Sequence, residues 1–113
     1  MIEHSLLDQT YRALADPTRR GMLVTLRGGP ARITDVAAPL PISFAAAARH
    51  VGVLEAAGLI EREVRGRDHR LTVRSAGVRP AEEWIAAQVS FWSLRSDALA
   101  ARLERRNRPD VRP

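Results

Sequence analysis

The chain has no cysteine and no lysine, and two tryptophans, two phenylalanines and one tyrosine are its only aromatic residues. Without cysteine there are no disulfides, thiolate metal sites or thiol redox sensors, a composition compatible with a reducing cytosol. No stretch approaches the roughly 20 apolar residues of a membrane helix. The segment from Met1 to Thr10 carries Glu3, His4 and Asp8 and holds no apolar run of signal-peptide length. A soluble, cytoplasmic protein with no membrane partner is therefore expected. Also missing are a glycine-rich phosphate loop, a nucleophile motif and paired carboxylates beside a base; Glu82 and Glu83 are neighbours on a helix and point apart. Enzyme chemistry has nowhere to sit, and neither a cofactor nor a resident metal is called for. Internal repeats and low-complexity tracts are absent too.

What is present fits one domain. A chain of 113 residues with 45% hydrophobic side chains folds around one modest core. Its cations are 18 arginines against 13 acidic residues, a formal charge of +5. That sign favours a polyanionic partner, and the guanidinium fork suits phosphate because it grips two oxygens at once. A GC-rich genome also enriches arginine, so the placement of these residues has to carry the argument.

Local signals divide the chain into elements. A first helix is expected over about Ser5 to Ala15, with Leu7, Tyr11 and Leu14 on one face. Asp16-Pro17 stops it and starts a second helix, the aspartate as N-cap and the proline at the first helical position, where no donor is lost. This helix turns Met22, Leu23 and Leu26 inward and breaks at Arg27-Gly28-Gly29-Pro30. Thr34 is read as the cap of a short third helix, Asp35 to Ala38, closed by Pro39 and Pro41. Ser43 caps a fourth helix running to about Ala57, whose Phe44, Ala47, Val51 and Leu54 are spaced for burial, and Gly58 ends it. The period then changes: Leu59–Arg65 and Arg70–Arg74 read as strands joined by Gly66-Arg67-Asp68-His69. A long helix follows from about Pro80 to Arg106.

A short helix, a turn, a second helix and then a basic β-hairpin is the order of a winged helix-turn-helix. The expected fold is mainly α with a small β-hairpin: four helices, two strands and a last helix. One domain spans 1–106, with the helix-turn-helix over about 34–57, the wing over about 59–74 and the last helix over about 80–106; 107–113 read as a flexible tail. In such folds the second helix of the pair enters the major groove while the hairpin grips the flanking backbone. Ser43, Ala45, Ala46 and Arg49 lie opposite the apolar face of the fourth helix, so small side chains let it sit deep while Arg49 reaches a base edge or a phosphate. Double-stranded DNA is the expected partner. Wing residues Arg65, Arg67 and Arg70 either contact phosphate or merely block strand-edge pairing. His50 is a base reader or a packed, capping side chain; His69 is read as structural. Arg19 and Arg20 are expected to form local ion pairs, with a phosphate contact as the alternative.

These residues also resemble a known family. Ala13-Leu14-Ala15-Asp16-Pro17-Thr18-Arg19-Arg20 is similar to a signature of arsenic-repressor-type (ArsR-like) regulators, and Ala48-Arg49-His50-Val51-Gly52-Val53-Leu54-Glu55-Ala56-Ala57-Gly58-Leu59-Ile60 to their recognition-helix pattern. The likeness continues into Arg65-Gly66-Arg67-Asp68-His69-Arg70 and covers roughly Leu6 to Arg106. It implies a homodimeric transcription repressor that leaves its operator on a signal. Two positions depart from the pattern: Ala48 stands where serine is usual and Gly52 where a basic residue is frequent, each removing a potential hydrogen bond to DNA. Metal-sensing members use cysteines before the recognition helix, or histidine and aspartate on the last helix. Here Ile33-Thr34-Asp35-Val36-Ala37 offers no thiolate and the last helix no histidine, which points to a branch that does not sense metals.

The last helix carries two apolar stripes, Ile85, Val89, Trp92, Leu99 and Leu103, and Trp84, Ala87, Phe91, Leu94, Ala98 and Ala101. A surface helix needs only one, so the second suggests a partner subunit. Trp84, Val89, Phe91, Trp92, Leu99 and Leu103 are the expected dimer contacts, and the resemblance adds Leu7 and Tyr11 of the first helix. A small organic effector of unknown identity, held between the first and last helices, would add to this role. The competing reading is a protein-interaction module whose basic wing and Phe44 dock an acidic partner.

Overall fold

The Asp16-Pro17 pair sets the first corner of the chain. In a computed structural model, which describes residues 2–108 with side chains from residue 6 onward, α1 (Ile2–Leu14) stops there and α2 (Pro17–Thr25) begins. The Asp16 carboxylate accepts the backbone N–H of Arg19 at 3.0 Å, and Pro17 occupies the first turn. A 3₁₀ turn over Leu26–Gly28 closes α2. Two residues, Ala31–Arg32, then form β1, and α3 (Ile33–Ala37) follows directly. It starts earlier than the pattern suggests: Thr34 lies inside it, and Arg32 at the cap position offers no side-chain acceptor.

Ser43 caps α4 (Phe44–Ala56), its Oγ accepting the N–H of Ala46 at 3.1 Å. Gly58 ends the segment with a φ of 74°, the left-handed conformation a glycine adopts without steric penalty. β2 (Ile60–Arg65) and β3 (Asp68–Val73) pair antiparallel from Ile60 opposite Val73 to Arg65 opposite Asp68. The connection is therefore only Gly66-Arg67, tighter than the four-residue loop expected. Gly66 has a φ of 62° at the first central position, as a type II′ turn requires. β1 adds a third strand against β3, with Ala31 opposite Leu71, giving the order β1-β3-β2.

The last helix, α5 (Ser75–Asn107), begins five residues before its expected start. Pro80 lies within it, in the second turn, where its ring nitrogen has no proton to give the carbonyl of Ala76. Gly77 lets α5 approach the α4–β2 corner: a Cβ there would run into the backbone carbonyl of Gly58. Asn107 is still helical, so the expected tail begins later, and its residues 109–113 lie outside the described part.

The described chain divides at Ala81 into two compact units. The core belongs to the first and is built from Ala13, Met22, Leu26, Ile33, Val36, Ala47, Val51, Leu54, Leu59, Ile60 and Leu71. Met22, Leu54, Leu59 and Leu71 are its largest fully buried side chains. Truncating one such leucine to alanine typically costs ~2–5 kcal/mol. Phe44 is the exception to the expected core, 54% exposed at the start of α4. Its spacing aims it at the core side, yet about half of its surface stays open to solvent. In the second unit α5 leaves every large apolar side chain exposed, including Trp84, Ile85, Val89, Phe91, Trp92, Leu94, Leu99 and Leu103. No described helix is long and apolar enough to cross a membrane.

Candidate nucleic-acid interface

α4 holds itself to the core through Ala47, Val51 and Leu54, which fixes what its other side presents. Ala45, Arg49, Gly52 and Ala56 are spaced 4, 3 and 4 residues apart and share that outer side. Ala45, Arg49 and Ala56 are exposed, and Gly52 is half-buried. Ser43 is exposed at the helix start with its hydroxyl engaged in capping, and Ala46 is half-buried beside it. Arg49 has no hydrogen-bond or ion-pair partner among the described residues, so its guanidinium is free for an external anion or base edge. The surface is narrow, small in relief and carries one cation. Phe44, expected inside, adds an exposed ring to the same end of the helix.

Two other arginines fasten this helix to its surroundings. Arg19 donates from Nε to the carbonyl of Ala13 at 2.8 Å and from a terminal nitrogen to that of Arg12 at 2.9 Å. Arg20 reaches the carbonyl of Leu14 at 2.8 Å. The final carbonyls of α1, which lack intrahelical partners, are thus satisfied by α2's first turn. Local ion pairs were the expectation for these two residues; carbonyl capping is what they do, a role that only the meeting of α1 and α2 makes visible. The remaining terminal nitrogen of Arg19 lies 3.1 Å from Nδ1 of His50, on α4. At the other end, Arg62 of β2 grips Glu55 with two hydrogen bonds of 3.3 and 3.2 Å and meets Nδ1 of His69 at 3.2 Å.

The wing is less bare than its five arginines suggest. Arg65 pairs with Glu63 at 2.8 Å, Arg70 with Asp68 at 3.0 Å and Arg74 with Glu61 at 3.7 Å. Asp68 also holds Arg32, which precedes α3, at 3.1 Å. The hydrogen bond from Arg70 holds the Asp68 carboxyl below the usual carboxylate range, opposed by burial and aided by the charges of Arg32, Arg70 and Arg65. Arg67, at the turn, is exposed and has no partner among the described residues. Of the three wing arginines singled out in the sequence, it alone stands ready. Arg32 was missed because only the β1–β3 pairing carries it to the wing. A cleft of about 320 Å³ lies between them, lined by Arg32, Thr34, Arg67, Asp68 and His69 among others.

The residues expected at a dimer contact are differently placed. Trp84, Val89, Phe91, Trp92, Leu99 and Leu103 are exposed on α5. Leu7 and Tyr11 are half-buried, and the Tyr11 hydroxyl donates to the carbonyl of Ala81 at 2.9 Å. No group of three histidine, aspartate or glutamate side chains is placed to hold a metal ion among the described residues.

Comparison with known proteins agrees with this geometry. A helix-turn-helix domain family model matches residues 14–63. The HTH-type transcriptional regulator Rv2034 of Mycobacterium tuberculosis is 40% identical over 53 residues, 47% of this chain and 50% of that protein, so the match spans about half of that relative's length. An ArsR family transcriptional regulator of solved structure superposes with a TM-score of 0.75 at 31% identity, over 79% of this chain and 92% of its own. An ArsR-like transcriptional regulator from Rhodococcus sp. RHA1 gives 0.73 at 27% identity, over 88% and 93% of the two chains. With the α3–turn–α4 pair, the three-stranded wing and this likeness along most of its length, the chain belongs to the ArsR family of transcriptional regulators, on a winged helix-turn-helix fold and without enzymatic chemistry.

Proposed function

We propose that the protein is a dimeric repressor that binds a near-palindromic DNA operator through α4 and the wing. The observation that carries this reading is the outer side of α4, where Arg49 stands free among small side chains. A helix with that relief enters a major groove closely, and a lone guanidinium there reads a guanine edge by its bidentate fork. Ser43, Ala45 and Ala46 line the approach, and the Phe44 ring offers an apolar contact to a thymine methyl. Arg67 at the wing turn takes a backbone phosphate, with Arg65 and Arg70 available where phosphate outcompetes their carboxylates.

The α5 stripes support the dimer: eight large apolar side chains exposed on one helix are a surface that monomers rarely leave open to water. A twofold pair sets the two recognition helices about one turn of DNA, ~34 Å, apart. Metal sensing is not part of the proposal. Nδ1 of His50 and Nδ1 of His69 are both taken by arginines, leaving neither ring free to ligate through that atom. A small organic effector remains compatible with this reading.

Binding to random duplex DNA across a salt series tests the proposal. Counterion release requires affinity to fall steeply with salt, by about 0.9 in log–log slope per phosphate contacted. Negligible binding at low salt would instead favour a module that docks an acidic protein.

A further inference from the structure

We infer that Arg19 and His50 form a strut that positions the DNA-reading half of α4, so that His50 serves recognition from behind the interface. The inference rests on the DNA-binding reading above and adds a role to residues that make no contact with DNA in it.

The argument starts from the anchorage of α4. Its C-terminal half buries Val51 and Leu54, whereas its N-terminal half contributes Ala47 and the partly buried Ala48, because Phe44 is exposed. An alanine contributes one methyl group to the core, so apolar burial holds this half weakly compared with the other. Arg49 projects from the weakly held half, and reading a base edge requires hydrogen bonds of about 2.7–3.2 Å. A polar fixture would supplement packing there.

Arg19 provides that fixture. All three guanidinium nitrogens are engaged, two on the α1 carbonyls of Ala13 and Arg12 and the third on His50. Its backbone N–H is held by Asp16 Oδ2, which also stands 3.9 Å from His50 Nδ1. An arginine tied at this many points has little freedom left, and it joins the end of α1 and the start of α2 to the residue after Arg49. The chemistry also defines the ring. A guanidinium only donates, so in this hydrogen bond Nδ1 is the acceptor. His50 therefore acts through Nδ1.

Asparagine and glutamine separate this role from direct contact, since an asparagine amide reproduces the Nδ1 position and a glutamine amide the Nε2 position. Wild-type protein selects duplexes from a random pool, and affinities for a selected and an unselected duplex are measured for His50→Asn, His50→Gln and Arg19→Gln/His50→Gln, with melting curves confirming the fold. His50→Asn should stay within about threefold of wild type, and His50→Gln should lose about tenfold or more on the selected duplex with the unselected one unchanged. Adding Arg19→Gln to His50→Gln should cost no further affinity. Retention by His50→Gln with loss by His50→Asn, equal affinities for both, or losses that multiply in the double variant would overturn the strut. Failure of the wild type to select any duplex would overturn the DNA reading and the strut with it.

Discussion

Asp68, on the wing, lies 3.1 Å from Arg32, on the strand leading into α3, and so pins the hairpin to the helix-turn-helix by an ion pair. The same carboxylate takes the Nε–H of Arg70 at 3.0 Å. One anion thus occupies two guanidiniums on the side of the molecule proposed to face phosphate. In the proposed complex it would compete with phosphate for both of them.

Asp68→Asn should therefore bind random duplex DNA more tightly and with steeper salt dependence. Each guanidinium released onto a phosphate adds about 0.9 to the log–log slope. Fluorescence anisotropy across a salt series measures it. An unchanged slope would mean that Arg32 and Arg70 never reach the duplex.

Gly77→Ala and Gly52→Ala should move stability in opposite directions. Glycine to alanine within a helix normally stabilises by up to about 1 kcal/mol. Nothing lies within 4 Å of a Cβ at Gly52, so that gain should appear in its melting temperature. At Gly77 the new methyl meets the Gly58 carbonyl, and overpacking of this kind costs about 1–3 kcal/mol. Calorimetry of the two variants checks the sign; stabilisation by Gly77→Ala would mean that the α5 start does not close against the α4–β2 corner.

Acid should remove the α2 cap. The backbone N–H of Arg19 holds the Asp16 carboxyl below the usual carboxylate range, with the charge of Arg19 and the N–H of Thr18 acting the same way against burial. A carboxyl depressed in the folded state contributes stability above its unfolded pKa and loses it as pH falls through the folded value. The melting temperature of wild type should exceed that of Asp16→Asn at neutral pH, and the gap should close between about pH 5 and about pH 3 or below. A gap that persists through this range would show that the carboxylate charge contributes nothing.

Much of this was legible because it is local. Asp16-Pro17, Ser43 and Gly58 each carry their instruction in their own side chain, and the structure uses all three as the sequence suggests. What the sequence concealed depends on partners distant along the chain. β1 is two residues long and exists through its pairing with Leu71 and Arg70. Periodicity gave the direction of Phe44 but not whether anything lies opposite it. Pro80 looked like a helix start because proline is common there, yet α5 begins at Ser75 and accepts one missing hydrogen bond. In the site, Arg49 and its small neighbours were visible from spacing alone. Pairing on the wing was not, since Asp68 meets Arg32 only after the sheet has formed.

Trp92→Ala should weaken self-association. Trp92 is 58% exposed beside Phe91, at 56%, on a helix whose apolar stripes the proposed dimer covers. Loss of a central interface tryptophan costs about 2 kcal/mol or more, which raises the dimer dissociation constant more than tenfold. Sedimentation equilibrium reads it directly, and an unchanged constant would remove this face of α5 from the interface.

The most direct test is the operator affinity of Arg49→Ala, measured by anisotropy on a duplex selected by the wild-type protein. Loss of about 1–3 kcal/mol, with preference relaxed at one base position in each half-site, is the expected result. Unaltered affinity together with unaltered preference would contradict the assignment of α4 as the element that reads DNA.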